Sequence, residues 1–151
     1  SCYGYGITLS ALQIAQAYSV FANEGNFVEL NLFKDHSFDE PYYQKIIEPS
    51  TNSKIKKMLI ETVNSKTGTA SKARLEGKIV AGKTGTARET LEEITTYTGT
   101  FAGFVPSDDP EYLAVIVLHG LSGEDYSGGR VSAPIFSNIM KQIYLLEDLK
   151  I

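Results

Sequence analysis

The stretch Ile79-Val80-Ala81-Gly82-Lys83-Thr84-Gly85-Thr86-Ala87 constrains this chain more than any other. A short apolar run of this kind reads as a buried strand. Here it leads directly into a lysine and two threonines interleaved with glycine. Glycine within a strand marks a place where a ligand or another backbone comes close.

An exposed strand edge can take up an extended peptide as one more strand, through main-chain hydrogen bonds. Gly85 lets such a peptide approach, and the Thr84 and Thr86 hydroxyls can bond a carboxylate at its end. Lys83 adds a positive charge that attracts the carboxylate and favours deprotonation of a neighbouring hydroxyl or amine. The Thr86 backbone N–H can help to hold an oxyanion during acyl transfer. Lys83 and Thr86 are therefore the candidate catalytic residues. Lys83, Thr84, Gly85 and Thr86 are the candidate substrate-binding set. Taken alone, the same residues also fit a plain strand running into a turn.

The pentapeptide occurs twice, as Lys66-Thr67-Gly68-Thr69-Ala70 and as Lys83-Thr84-Gly85-Thr86-Ala87. No apolar strand residues lead into the first copy, which follows a helix and reads as a connecting turn. Ser53-Lys54-Ile55-Lys56 matches Ser-x-x-Lys, and Ser50-Thr51-Asn52 matches Ser-x-Asn. These two overlap on the first turn of one helix, so they cannot be separate walls of a cleft; Ser50 reads better as an N-cap. A serine nucleophile needs an adjacent base, and no other serine–lysine pair at helical spacing precedes Lys83. The reactive serine is expected on protein outside this chain.

A length of 151 residues suits one domain. A formal charge of −4, with no basic stripe, argues against nucleic acid. The single cysteine, Cys2, excludes an internal disulfide, and His36 and His119 lie in unrelated contexts. No metal or cofactor is expected. No stretch approaches the roughly 18 apolar residues of a membrane span.

The spacing predicts a helix starting at a Ser10–Gln13 capping box and stopping at Gly25. Weak strands are expected within Phe27–Phe33 and Gln44–Ile47, with a loop over Lys34–Tyr43. A second helix follows Pro49, burying Ile55, Met58, Leu59 and Val63, and Ala70–Leu75 suits a helical turn. The Ile79–Thr86 strand comes next, and Arg88–Ile94, being charged, reads as a mobile loop. Thr98–Val105 and Tyr112–Leu118 form an antiparallel hairpin about an Asp-rich turn, the latter as a central strand. Gly120–Gly129 reads as a flexible connection. A last helix opens at Ser132-Ala133-Pro134 with Ile135, Ile139, Ile143 and Leu146 on its inner face. The order gives an α+β fold, helices packed on an antiparallel sheet.

Several blocks, in order, resemble the C-terminal part of the transpeptidase domain of class B penicillin-binding proteins. They are Gly4-Tyr5-Gly6, Ser10-Ala11-Leu12-Gln13-Ile14-Ala15, Ala22-Asn23-Glu24-Gly25 and Val80 to Ala87. Phe101-Ala102-Gly103-Phe104-Val105-Pro106 and Gly128-Gly129 with Ala133-Pro134-Ile135-Phe136 complete the set. The Lys-Thr-Gly-Thr-Ala-Arg form resembles the septum-building, cell-division members.

The resemblance implies a partial serine β-lactamase-like fold, with residues 1–151 as one incomplete domain. It implies cross-linking of D-Ala-D-Ala-ended peptidoglycan stem peptides, and binding of β-lactams, by Lys83, Thr84, Gly85 and Thr86. The implied partners are the N-terminal part of the same protein and divisome or cell-wall synthesis proteins. The implied location is the periplasmic side of the bacterial inner membrane. A non-catalytic interaction fragment of a cell-wall complex is the alternative. With neighbours absent, the chain alone is expected to be marginally folded.

Overall fold

A computed structural model describes residues 8–30, 43–123 and 125–149. Cys2, His36, the Gly4-Tyr5-Gly6 turn and positions 31–42 of the expected strand and loop lie outside them.

Helix α1 spans Ala11–Ala22, and both bonds of the Ser10–Gln13 capping box are made. Glu24 and Gly25 then take positive φ, and Gly25 N–H donates to Val20 O, which closes the helix. Two three-residue strands, β1 (Asn26–Val28) and β2 (Tyr43–Lys45), pair antiparallel beside it. Helix α2 spans Pro49–Asn64, with proline in the first turn where a missing N–H is tolerated. The cap position belongs to Glu48, without a side-chain bond, so Ser50 lies inside the first turn and is not the N-cap.

Strands β3 (Ala81–Leu91), β4 (Ile94–Val105) and β5 (Tyr112–Leu121) form an antiparallel sheet in that order. The expected central place of the 112–118 strand is therefore wrong, because β4 is the middle strand. Nor is 88–94 a loop: Leu91 faces Ile94 across a two-residue turn, and pairing continues unbroken back to Ala81. Charge misled that reading, since both faces of this arm meet solvent and bury nothing. Helix α3 spans Ser132–Asp148.

The pleat of the strands sorts the core into two layers. Phe104 and Ala81 pack on one face with Leu59 of α2 and with Tyr18, Phe21 and Ala22 of α1. Phe101 and Val105 pack on the other with Val63, Ala70, Ala73, Val80 and Ala133, Phe136 and Met140 of α3. Two helix stripes differ in part from the expected ones, although Ile55, Leu59 and Val63 of α2 do face the core. Met58 is 64% exposed, whereas Asn52 points inward and donates to Phe21 O. In α3 the inward residues are Ala133, Phe136, Ser137 and Met140, while Ile139 and Leu146 are exposed. Ile143, also expected on the inner face, does pack against that core.

Arg74 ties α2 to α3: its guanidinium donates to Val63 O and Ser65 O at the end of α2, and its carbonyl accepts from Ser137 Oγ. At the far end of α3, the Tyr144 hydroxyl donates to the Glu111 carboxylate at 2.9 Å. The Lys78 ammonium lies 4.1 Å from that ring. Burial first, and then the bond to Glu111, pushes the Tyr144 phenol well above its ordinary value.

Candidate functional site on strand β3

Strand β3 starts in the core and ends in solvent. Ala81 and Gly82 are buried, and from Lys83 on the strand opens outward. Gly82 has to be glycine, since a Cβ there would sit 2.5 Å from the Phe101 ring and 2.8 Å from Ala102 O. Among the described residues β3 pairs only with β4, so its other edge carries no partner strand.

Alternation divides the four candidate residues between two faces. Lys83 and Gly85 share the α1 side with Ala81, whereas Thr84 and Thr86 lie on the α3 side. The Lys83 ammonium is exposed and donates to Thr84 O at 2.9 Å. A Cβ at Gly85 would meet nothing closer than the Thr100 side chain at 3.6 Å, so this surface of the strand is open.

Both hydroxyls on the other side have protein partners. Thr84 Oγ1 is 3.3 Å from Thr69 Oγ1, and Thr86 Oγ1 accepts from Gly128 N–H at 3.2 Å. Gly128 and Gly129 press on the strand so closely that side chains are excluded. A Cβ on Gly128 would be 2.2 Å from Thr100 O and 2.5 Å from Gly85 O; one on Gly129 would be 2.3 Å from Thr69 O. The expected flexible connection over Gly120–Gly129 is thus, at its end, a fixed clamp. Beside it, Tyr126 stacks on Tyr97 with ring centroids 3.9 Å apart.

The first pentapeptide copy forms no strand. Lys66 and Thr67 lie in a turn after α2, as the sequence suggested. Its Thr69, however, touches the second copy, a contact with no signal in the sequence because fifteen residues separate the two hydroxyls. Ser50 and Ser53 sit together at the start of α2, and His119 Nδ1 pairs with Thr98 Oγ1 at 3.0 Å.

The site is thus an open-edged strand with an exposed lysine, flanked by clamped hydroxyls. Residues 1–141 match the penicillin binding protein transpeptidase domain. The chain belongs to the penicillin-binding transpeptidase family. Within it, this transpeptidase sequence is 36% identical over 141 residues to the probable peptidoglycan D,D-transpeptidase PbpC of Pseudomonas aeruginosa. That match covers 91% of the chain and 24% of the relative. It is 35% identical to peptidoglycan D,D-transpeptidase FtsI of Buchnera aphidicola, covering 99% of the chain and 26% of the relative. The fold is similar to the apo TP domain of Burkholderia pseudomallei penicillin-binding protein 3, with TM-score 0.80 and 30% identity. That superposition covers 99% of this chain and 45% of the other. The chain therefore spans about a quarter of the curated relatives and under half of the solved chain. The class B resemblance and the α+β transpeptidase fold read from the sequence both hold.

Proposed function

We propose that these residues are the C-terminal part of a D,D-transpeptidase domain and supply its substrate strand. The ligand is the D-Ala-D-Ala end of a peptidoglycan stem peptide, or a β-lactam in its place. The peptide lies along the free edge of β3 as an added strand. Lys83 draws in its carboxylate, Gly85 leaves room for it, and Thr84 and Thr86 bond it. A serine from protein outside these residues attacks the penultimate carbonyl, terminal D-alanine leaves, and the acyl group passes to an amine on a neighbouring strand. Lys83 assists deprotonation, and the Thr86 N–H helps to hold the oxyanion.

One observation carries this reading. Among the described residues, the Lys83 ammonium stands exposed on an unpartnered strand edge, engaged only with the carbonyl of the next residue. A buried, ion-paired lysine could serve neither role. Names such as FtsI among the relatives support a place in cell-wall synthesis at division, on the periplasmic face of the inner membrane, with divisome proteins as partners.

The test is acylation by fluorescent penicillin in a protein carrying its whole transpeptidase domain. Lys83→Ala should slow acylation by roughly a hundredfold or more, and Lys66→Ala should leave it within about twofold. Equal effects of the two substitutions would overturn the assignment.

A non-catalytic interaction module is the second reading, favoured by one fact. Among the described residues, no serine bonds Lys83. Covalent labelling of residues 1–151 alone would exclude it; reversible binding of the penicillin without labelling would support it.

A further inference from the structure

The two copies of Lys-Thr-Gly-Thr-Ala meet in space, and their contact is a pair of hydroxyls. The first copy is held so that Thr69 has little freedom. Ala70 is fully buried and its N–H donates to Thr62 O at 3.1 Å. Gly68 approaches that same carbonyl so closely that a Cβ would lie 2.2 Å from it. Gly129 lies so close to the Thr69 carbonyl that a Cβ there would be 2.3 Å from its oxygen and 3.6 Å from Thr84 Cγ2. Thr69 itself remains exposed, with its Oγ1 3.3 Å from Thr84 Oγ1.

A hydroxyl has one proton to give and two lone pairs to receive with. In the structure Thr84 donates to Thr69, so its proton is not offered to a ligand. If Thr69 donates instead, Thr84 accepts from Thr69 and turns its own proton outward. An arriving carboxylate, which can only accept, selects the second arrangement. The donor chain then runs Thr69 to Thr84 to carboxylate, and bonds to a charged acceptor are stronger than neutral ones.

We propose that Thr69 is a positioning residue of the substrate strand, acting through Thr84 by donating a proton that frees the Thr84 proton for the ligand's carboxylate. This rests on the proposed function of β3 and deepens it. The first pentapeptide copy, on this view, is part of the site although it is no strand.

The experiment uses the whole transpeptidase domain and two probes, a penicillin and its carboxylate methyl ester. Acylation is resolved into the dissociation constant of the initial complex and the rate of the covalent step. Thr69→Val should raise the dissociation constant of the free acid roughly five- to tenfold, with the covalent rate within about twofold. Thr69→Ser should restore the wild-type value, and the methyl ester should respond to neither variant. Thr69→Ala serves equally should valine disturb the turn, with thermal melts reporting on the fold. An equal loss for acid and ester, a loss in Thr69→Ser, or no effect of removing the hydroxyl would overturn the proposal. A wild-type domain that penicillin does not label overturns instead the function on which it rests.

Discussion

Gly128 donates its backbone N–H to the Thr86 hydroxyl, joining the approach to α3 to a strand forty-two residues earlier. The bond exists because neither glycine of the Gly128-Gly129 pair has a side chain to keep the two segments apart. Gly128→Ala has nowhere to put its methyl group, with two backbone oxygens within 2.5 Å. Such overpacking costs at least about 2 kcal/mol. The variant should melt lower and lose penicillin acylation together. Gly77→Ala is the control: no atom lies within 4 Å, so only the cost of φ +74° is felt and acylation should survive.

The β3–β4 turn is built from Glu92 and Glu93, at φ 45° and 69°. A two-residue turn with both φ positive is the geometry that Asn-Gly satisfies most easily. Replacing Glu92→Asn and Glu93→Gly together should stabilise the protein by about 1 kcal/mol. A rise in the urea midpoint, with acylation unchanged, is the expected result. A fall would mean that the acidic tip is itself held by contacts.

Arg74 closes the C-terminal end of α2 by bonding Val63 O and Ser65 O. Its charge also suits the negative end of the helix. Arg74→Ala should destabilise by about 1–2 kcal/mol, and Arg74→Lys should recover only part of that. Urea titrations of the three proteins measure the order directly.

The Tyr144 phenol ionises well above its usual range because of burial and the Glu111 carboxylate. In the unfolded chain it ionises near 10. Its contribution to stability is complete below that value and is lost as pH rises from there toward the folded-state value. Wild type should therefore lose stability above about pH 10 more steeply than Tyr144→Phe. Parallel losses in the two proteins would show that this phenol is free to ionise when folded.

Helix α3 and its cap leave Ile139, Leu145, Leu146 and Leu149 exposed, and Leu12 of α1 and Leu9 just before it are exposed too. On the proposal that residues 1–151 are one part of a larger domain, these surfaces meet the rest of it. Each such side chain left in water forgoes about 1.5–3 kcal/mol of burial. The chain expressed alone should unfold at low urea or associate, and a sharp, high-midpoint melt of the monomer would count against the proposal.

Local signals carried the sequence reading furthest. Ser10 and Gln13 announced α1 because a cap is a contact between residues three apart. Ile79 and Val80 separated the strand copy of the pentapeptide from the turn copy, since a run entering the core must be apolar. What failed depended on distant partners. Asn52 takes an inward position on α2 because Phe21 O lies there to accept its proton. Ile139 yields its inner place in α3 to Met140, which packs with Phe136 into the cluster around Phe101. The arm at 88–94 looked like a loop because a strand that buries neither face leaves no alternating pattern. Within the site, lysine and threonines were visible, but their division between two faces and the Thr69 contact arise only from pairing and packing.

The clamp at Gly128-Gly129 has a consequence for biosynthesis. A ribosome that has released everything up to Leu121 has already delivered the lysine strand, the other two strands of its sheet and the turn holding Thr69. The glycines that seat the Thr86 hydroxyl emerge only afterwards, just ahead of the helix that anchors them. On the proposed function, the substrate strand is therefore complete only once translation has passed this point.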